Sequence, residues 1–205
     1  MDEATLTVYI VDDDPAVRDS LSLLLSLRGY RTATFGSAED FLAALRPGWC
    51  GCVMADIRMP GLSGLELQHE LAHRGVGMPV VIITAHGDAA SAREAFRANA
   101  VDFLEKPFDE TGPLDAVEAA FERERERLDA GRESARREAS LAALTERERD
   151  VMRLLVTGMH NKEVAQRLDI SPRTVEIHKA RVLAKLGARN VAELIRIAGS
   201  GGGAA

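Results

Sequence analysis

Five short apolar runs recur along the first 120 residues, and an amphipathic stretch follows each. They are LTVYIV (6–11), YRTATF (30–35), GCVMADI (51–57), PVVIIT (79–84) and VDFLEKP (101–107), all of strand length. Between the first two, Val17, Leu21, Leu24 and Leu25 fall at helical spacing, with Gly29 as a stop. Further helices are predicted over 37–45 from Ser37, after Gly64, over 88–98 and from 112 onward. Parallel neighbouring strands need a crossover, normally a helix, so five β–α units in series imply a five-stranded parallel α/β sheet, doubly wound with helices on both faces. Ligands of such sheets sit beyond the carboxyl ends of the strands. The first, third, fourth and fifth runs end at DDD, Asp56, Thr84 and Lys106.

Three consecutive acids at a strand end repel one another unless something neutralises them. Asp14 precedes Pro15 at a helix start and reads as its N-cap. Asp12 and Asp13 remain, and Asp56 is expected to join them, with Lys106 facing the group. A lone aspartate at a strand end is ordinarily a turn former. Three carboxylates converging without His or Cys make an all-oxygen site suited to Mg²⁺. In-line attack by Asp56 on a phosphoryl group would give an aspartyl phosphate. Lys106 would neutralise its charge, Thr84 would donate a hydroxyl hydrogen bond, and the small Ala85 would leave room.

VDDDP, DIRMPGLSG (56–64), ITAHG (83–87) and DFLEKPF (102–108) together resemble the receiver domain of two-component response regulators, over about residues 5–120. The resemblance implies the flavodoxin-like order of the sheet and Asp56 as phosphoacceptor. It implies Mg²⁺ held by Asp13, Asp56 and the Arg58 backbone carbonyl, and by Asp12 through water. It also implies Lys106 as phosphate partner, a cis Lys106–Pro107 bond, and Thr84 and Phe103 as switch residues, with a sensor histidine kinase as donor. In such receivers the face of the fourth helix, fifth strand and fifth helix changes on phosphorylation and pairs two copies.

The net charge of −6 is unevenly spread. Residues 1–120 hold 19 acids against 9 Lys and Arg, 121–143 hold six of each, and 144–205 hold 7 acids against 11 bases. The basic end is the part a polyanion would prefer. Between the two, FERERERLDAGRESARREAS (121–140) is nearly all polar, and its Glu/Arg alternation supports a solvated linker helix more than a coiled coil, which would need apolar heptads. Gly131 is its expected weak point.

From Leu141 the pattern is helical throughout. Thr145–Glu148 is a capping box opening a helix through Leu155, NKEVAQRL (161–168) forms a second, Ser171 and Pro172 start a third through Leu186, and 190–198 form a fourth. The tight LDISP connection predicts a helix-turn-helix. On the third helix Val175, Val182, Leu183 and Leu186 should pack inward. Arg173, Thr174, Glu176, Ile177, Ala180 and Arg181 then face outward for a major groove, with Lys162, Lys179 and Lys185 placed for phosphates. His178 reads as a packed histidine with a hydrogen bond. Residues 199–205 read as a flexible tail.

Residues 141–198 resemble the LuxR-type four-helix DNA-binding domain. Joined to the receiver, the chain resembles the FixJ branch of the NarL/FixJ response regulators. That implies a phosphorylation-activated transcriptional regulator, not an enzyme, which binds double-stranded promoter DNA as a dimer. Activation is the family pattern, and RNA polymerase is a further candidate partner. Two other classes remain open: a Mg²⁺-dependent phosphohydrolase using the same acids, and a module whose last helices bind protein or RNA. No apolar run approaches the roughly 20 residues of a membrane span, and no signal-peptide pattern opens the chain. Cys50 and Cys52 read as inert thiols, which fits a reducing cytoplasm.

Overall fold

The computed structural model describes residues 6–85, 89–107 and 109–199. It contains two compact units that divide after Asp129. In the first, strands β1 (Thr7–Val11), β2 (Arg31–Phe35), β3 (Gly51–Asp56), β4 (Val80–Thr84) and β5 (Asp102–Glu105) pair in parallel in the order β2-β1-β3-β4-β5. Helices α1 (Pro15–Leu27), α2 (Ala38–Ala44), α3 (Gly64–His73) and α4 (Ala89–Arg97) follow the first four strands, and α5 begins at Thr111.

Strand alternation builds two cores. Tyr9, Val11, Val53, Ala55 and Ile82 point to one face and pack with Phe41 of α2, Leu67 and Leu71 of α3 and Ala95 of α4. Val8, Ile10, Met54, Val81 and Ile83 point to the other and meet Leu21 and Leu25 of α1 and Ala116, Val117 and Phe121 of α5. Burying each large side chain contributes about 1.5–3 kcal/mol. Gly51 permits the tight start of β3: its φ is +138°, and a Cβ there would lie 1.8 Å from the Thr7 carbonyl oxygen.

The caps follow the residue types. Asp14 accepts from the Ala16 N–H at 2.8 Å, Ser37 caps α2, and Ser63 with Glu66 forms a capping box for α3. Helix α5 runs from Thr111 to Ala142 without interruption. Gly131, the weak point of the charged stretch, lies within it without a break. One glycine costs about 1 kcal/mol, which the buried turns from Pro113 to Phe121 and pairs such as Arg137–Glu133 offset.

In the second unit, α6 (Glu146–Val156), α7 (Asn161–Leu168), α8 (Pro172–Leu186) and α9 (Val191–Gly199) enclose Val151, Leu155, Val164, Val175, Val182 and Leu194. Asp169 adopts the left-handed conformation at the end of α7, and Ser171 then caps α8. Residues 200–205, most of the expected tail, lie outside the described residues, as do His86, Gly87 and Phe108 of the receiver-like motifs.

Candidate phosphorylation site and DNA-facing helix

The register of the sheet brings the acidic corner together. Asp12 follows β1 directly, Asp56 closes the neighbouring β3, Thr84 closes β4 and Lys106 follows β5. Asp12, Asp56 and Thr84 are buried. The Lys106 ammonium donates to Asp12 Oδ2 at 2.6 Å and to Asp56 Oδ1 at 2.8 Å. The remaining carboxylate oxygens accept from backbone: Asp56 Oδ2 from Arg58 N–H at 2.8 Å, and Asp12 Oδ1 from Asp14 N–H at 2.9 Å. Lys106 is itself set by its own N–H, which donates to the Thr84 carbonyl at 2.7 Å. The Lys106–Pro107 bond is cis.

Charge state follows from burial and contact. Desolvation raises the Asp56 pKa above the usual aspartate value, only partly opposed by the Lys106 hydrogen bond and charge, while the nearby Asp12 raises it further. Burial works against the Lys106 ammonium, but its hydrogen bonds to Asp12 and Asp56 outweigh this and lift its pKa.

Asp12 and Asp56 come together around Lys106, and Asp13, next to Asp12 in the chain, is exposed at the mouth of the strand end. Two carboxylates there share one ammonium. The donor set still suits Mg²⁺. It is all oxygen, and three carboxylates against one ammonium leave negative charge that a divalent cation would neutralise.

Thr84 sits beside Glu105 in the register of β4 and β5, and half-buried Phe103 packs against the α2–α3–α4 core. Two positioning residues were not evident from the sequence. A Cβ on Gly64 would lie 2.3 Å from the Asp56 carbonyl oxygen, so only glycine lets α3 start so close to the acceptor strand. Glu39 of α2 accepts from the Leu62 N–H at 2.9 Å and ties down the loop after Asp56. The GLSG run hinted at Gly64; nothing local marks Glu39.

In the second unit α8 buries Val175 and Val182, partly buries Leu183 and Leu186, and exposes Arg173, Glu176, Ile177, Ala180 and Arg181. The face therefore forms as expected, and Lys162 of α7 is exposed. Thr174 and Lys179 are half-buried, and the Thr174 hydroxyl shares a 2.7 Å hydrogen bond with Ser171 at the cap.

Lys185 departs from its expected role at phosphate. Its ammonium lies 2.7 Å from Glu148 and 3.0 Å from the Ala143 carbonyl oxygen. Glu148 is buried and also accepts from Thr145 N–H. Its hydrogen bond to Lys185 pulls its pKa down to about 2, aided by the Thr145 N–H. Lys185 thus serves the fold: a buried carboxylate needs a cation, and Lys185 reaches it. His178 is also unlike its expectation, since its Nδ1 is buried with no hydrogen-bond partner among the described residues.

Comparison with known proteins places these two sites in one lineage. The profile for the response regulator receiver domain matches residues 8–118, and that for bacterial regulatory proteins of the luxR family matches 142–198. The transcriptional regulatory protein FixJ of Azorhizobium caulinodans is 47% identical over 95% of this chain and 92% of its own. FixJ of Rhizobium meliloti is 44% identical over 96% of each. The solved structure of the response regulator StyR superposes with a TM-score of 0.85 at 40% identity, covering 96% of this chain and 99% of its own. The chain belongs to the response regulators of the NarL/FixJ type, transcriptional regulators of two-component systems in which a receiver is joined to a LuxR-type DNA-binding domain.

Proposed function

We propose that Asp56 accepts a phosphoryl group from a phosphohistidine on a sensor histidine kinase, and that the phosphorylated chain pairs with a second copy and binds promoter DNA. The observation that carries this reading is the Lys106 ammonium, 2.8 Å from Asp56 in a corner whose second buried acid it also holds. An Asp56 oxygen forms the bond to phosphorus as the P–N bond of phosphohistidine breaks, and the departing imidazole takes a proton from solvent. Lys106 moves with the new phosphoryl oxygens, Thr84 donates its hydroxyl to one of them, and Phe103 follows Thr84 inward. Asp13, Asp56 and the Arg58 carbonyl, with Asp12 through water, would hold Mg²⁺, which supplies charge neutralisation when bound.

The proposed division is a receiver over 1–120, a linker over 121–140 and a DNA-binding domain over 141–198. On α8, Arg173, Glu176, Ile177, Ala180 and Arg181 read base edges, while Lys162, Thr174 and Lys179 lie at the phosphates. Pairing two copies makes the second DNA contact effectively intramolecular, worth about 10²–10⁴ in avidity. An activator of this kind would then contact RNA polymerase.

The test treats wild type and Asp56→Asn with a small phosphodonor and Mg²⁺, and follows intact mass, oligomeric state and DNA binding. Wild type should gain one phosphoryl group, self-associate and bind a promoter fragment more tightly, and the variant should do none of these. Phosphorylation persisting in the variant removes Asp56 from the role. Continuous turnover of a phosphate ester would favour a phosphohydrolase.

A further inference from the structure

Every hydrogen-bonding group of Asp12 is engaged. Its carboxylate holds the Lys106 ammonium and the Asp14 N–H, and its own N–H donates to the Phe35 carbonyl at 3.2 Å. Its carbonyl oxygen accepts from Arg18 Nη1 at 2.6 Å. This last contact is made by a charged side chain that reaches back from α1, beyond the start of its own helix.

Two observations set that contact apart from a chance surface pairing. Arg18 is the fourth residue of α1, and its guanidinium lies toward the N-terminal end, where the helix dipole disfavours a cation. It also passes over acids close to it in the chain. Asp13, Asp14 and Asp19 are exposed, yet Arg18 has no ion-pair partner among the described residues. The guanidinium rests instead on a backbone carbonyl, beside Gly36, where a Cβ would lie 3.7 Å from Nη1.

The carbonyl that Arg18 holds belongs to the peptide joining Asp12 to Asp13. A charge-assisted hydrogen bond to it fixes the plane of that peptide. Asp13 is exposed and its carboxylate makes no hydrogen bond among the described residues. Its direction is therefore set by the backbone that carries it.

We propose that Arg18 is a positioning residue for the divalent ion: by fixing the Asp12–Asp13 peptide it aims the Asp13 carboxylate at the ion. The inference rests on the reading of this corner as a Mg²⁺-assisted phosphoacceptor site, and it gives Arg18 no contact with the ion or the phosphoryl group.

The test compares the full chain with Arg18→Met and Arg18→Lys. Mg²⁺ affinity is read from the amide NMR shifts of Asp13 and Asp56, and labelling by a small phosphodonor is followed across Mg²⁺ concentrations. Loss of a nearby positive charge would by itself tighten a cation, so charge and positioning give opposite signs in Arg18→Met. Mg²⁺ should bind Arg18→Met about tenfold more weakly than wild type. Arg18→Lys, which keeps the charge on a shorter stem, should lose affinity by a smaller factor. At saturating Mg²⁺ both variants should label at the wild-type rate. Affinity equal to wild type or tighter in Arg18→Met overturns the proposal. So does labelling slowed by one factor at every Mg²⁺ concentration, the mark of a merely structural role. Should Arg18→Met not fold, Arg18→Lys decides, and wild-type affinity there overturns the proposal. A wild-type chain that binds no Mg²⁺ overturns the phosphoacceptor reading as well.

Discussion

Lys106 holds Asp56 at 2.8 Å with the same nitrogen that holds Asp12 at 2.6 Å. One ammonium thus stands in for the cation that two buried carboxylates require. The first prediction follows from that substitution. Lys106→Met leaves both acids without a counter-charge and should lower receiver stability by about 1–3 kcal/mol in the absence of divalent ions. With the competing positive charge gone, Mg²⁺ should bind at least about tenfold more tightly and restore part of the loss. Urea unfolding with and without Mg²⁺ measures both.

A second prediction concerns Gly64. In Gly64→Ala the new methyl meets the Asp56 carbonyl oxygen at 2.3 Å, so α3 must retreat from the acceptor strand. Stability should fall by about 1–3 kcal/mol, and the rate of labelling by a small phosphodonor should fall with it. A labelling rate equal to wild type would show that the close start of α3 does not shape the site.

A third prediction uses pH. Glu148 titrates near 4.5 when unfolded and at about 2 in the fold, where Lys185 and the Thr145 N–H favour its charged form. A depressed carboxylate adds stability that is fully present above the unfolded value and lost as pH falls through the folded one. The helical unit should therefore lose stability between about pH 4.5 and 2. Glu148→Gln should flatten that dependence, which circular dichroism during denaturation at several pH values reads directly.

The fourth prediction separates base reading from phosphate contact. Glu176→Gln should change preference at one base position by about 1–3 kcal/mol. Lys162→Ala should weaken all sequences alike and reduce the salt slope of binding by about 1. Lys185→Ala should leave that slope unchanged and destabilise the helical unit instead, because its ammonium is engaged with Glu148. Titrations of a promoter library at several salt concentrations distinguish the three.

The contrast between Lys162 and Lys185 also shows how far residue types alone can be read. Period and capping chemistry are local, so the five strands, the Asp14, Ser37, Thr145 and Ser171 caps and the inward face of α8 were all legible in advance. The corner formed by Asp12, Asp56 and Lys106 was legible because strand ends collect on one edge of a parallel sheet. Partners distant in sequence were not. Lys185 and Glu148 lie 37 residues apart and Glu39 and Leu62 lie 23 apart, and no periodicity encodes either pair. Adjacent residues at a strand end point to different sides, so Asp12 turns into the corner while its neighbour Asp13 remains exposed. Gly131 was judged on its own propensity, whereas the long helix is stabilised by its packed turns.

The central claim is that one carboxylate of this corner carries a phosphoryl group and needs a divalent ion to do so. Borohydride trapping of the acyl phosphate, followed by peptide mass mapping, identifies which acid is modified. The account predicts a mark at Asp56 alone, formed with Mg²⁺ and lost with a chelator. A mark at Asp12 or Asp13, or equal labelling of Asp56 with the ion removed, would contradict it.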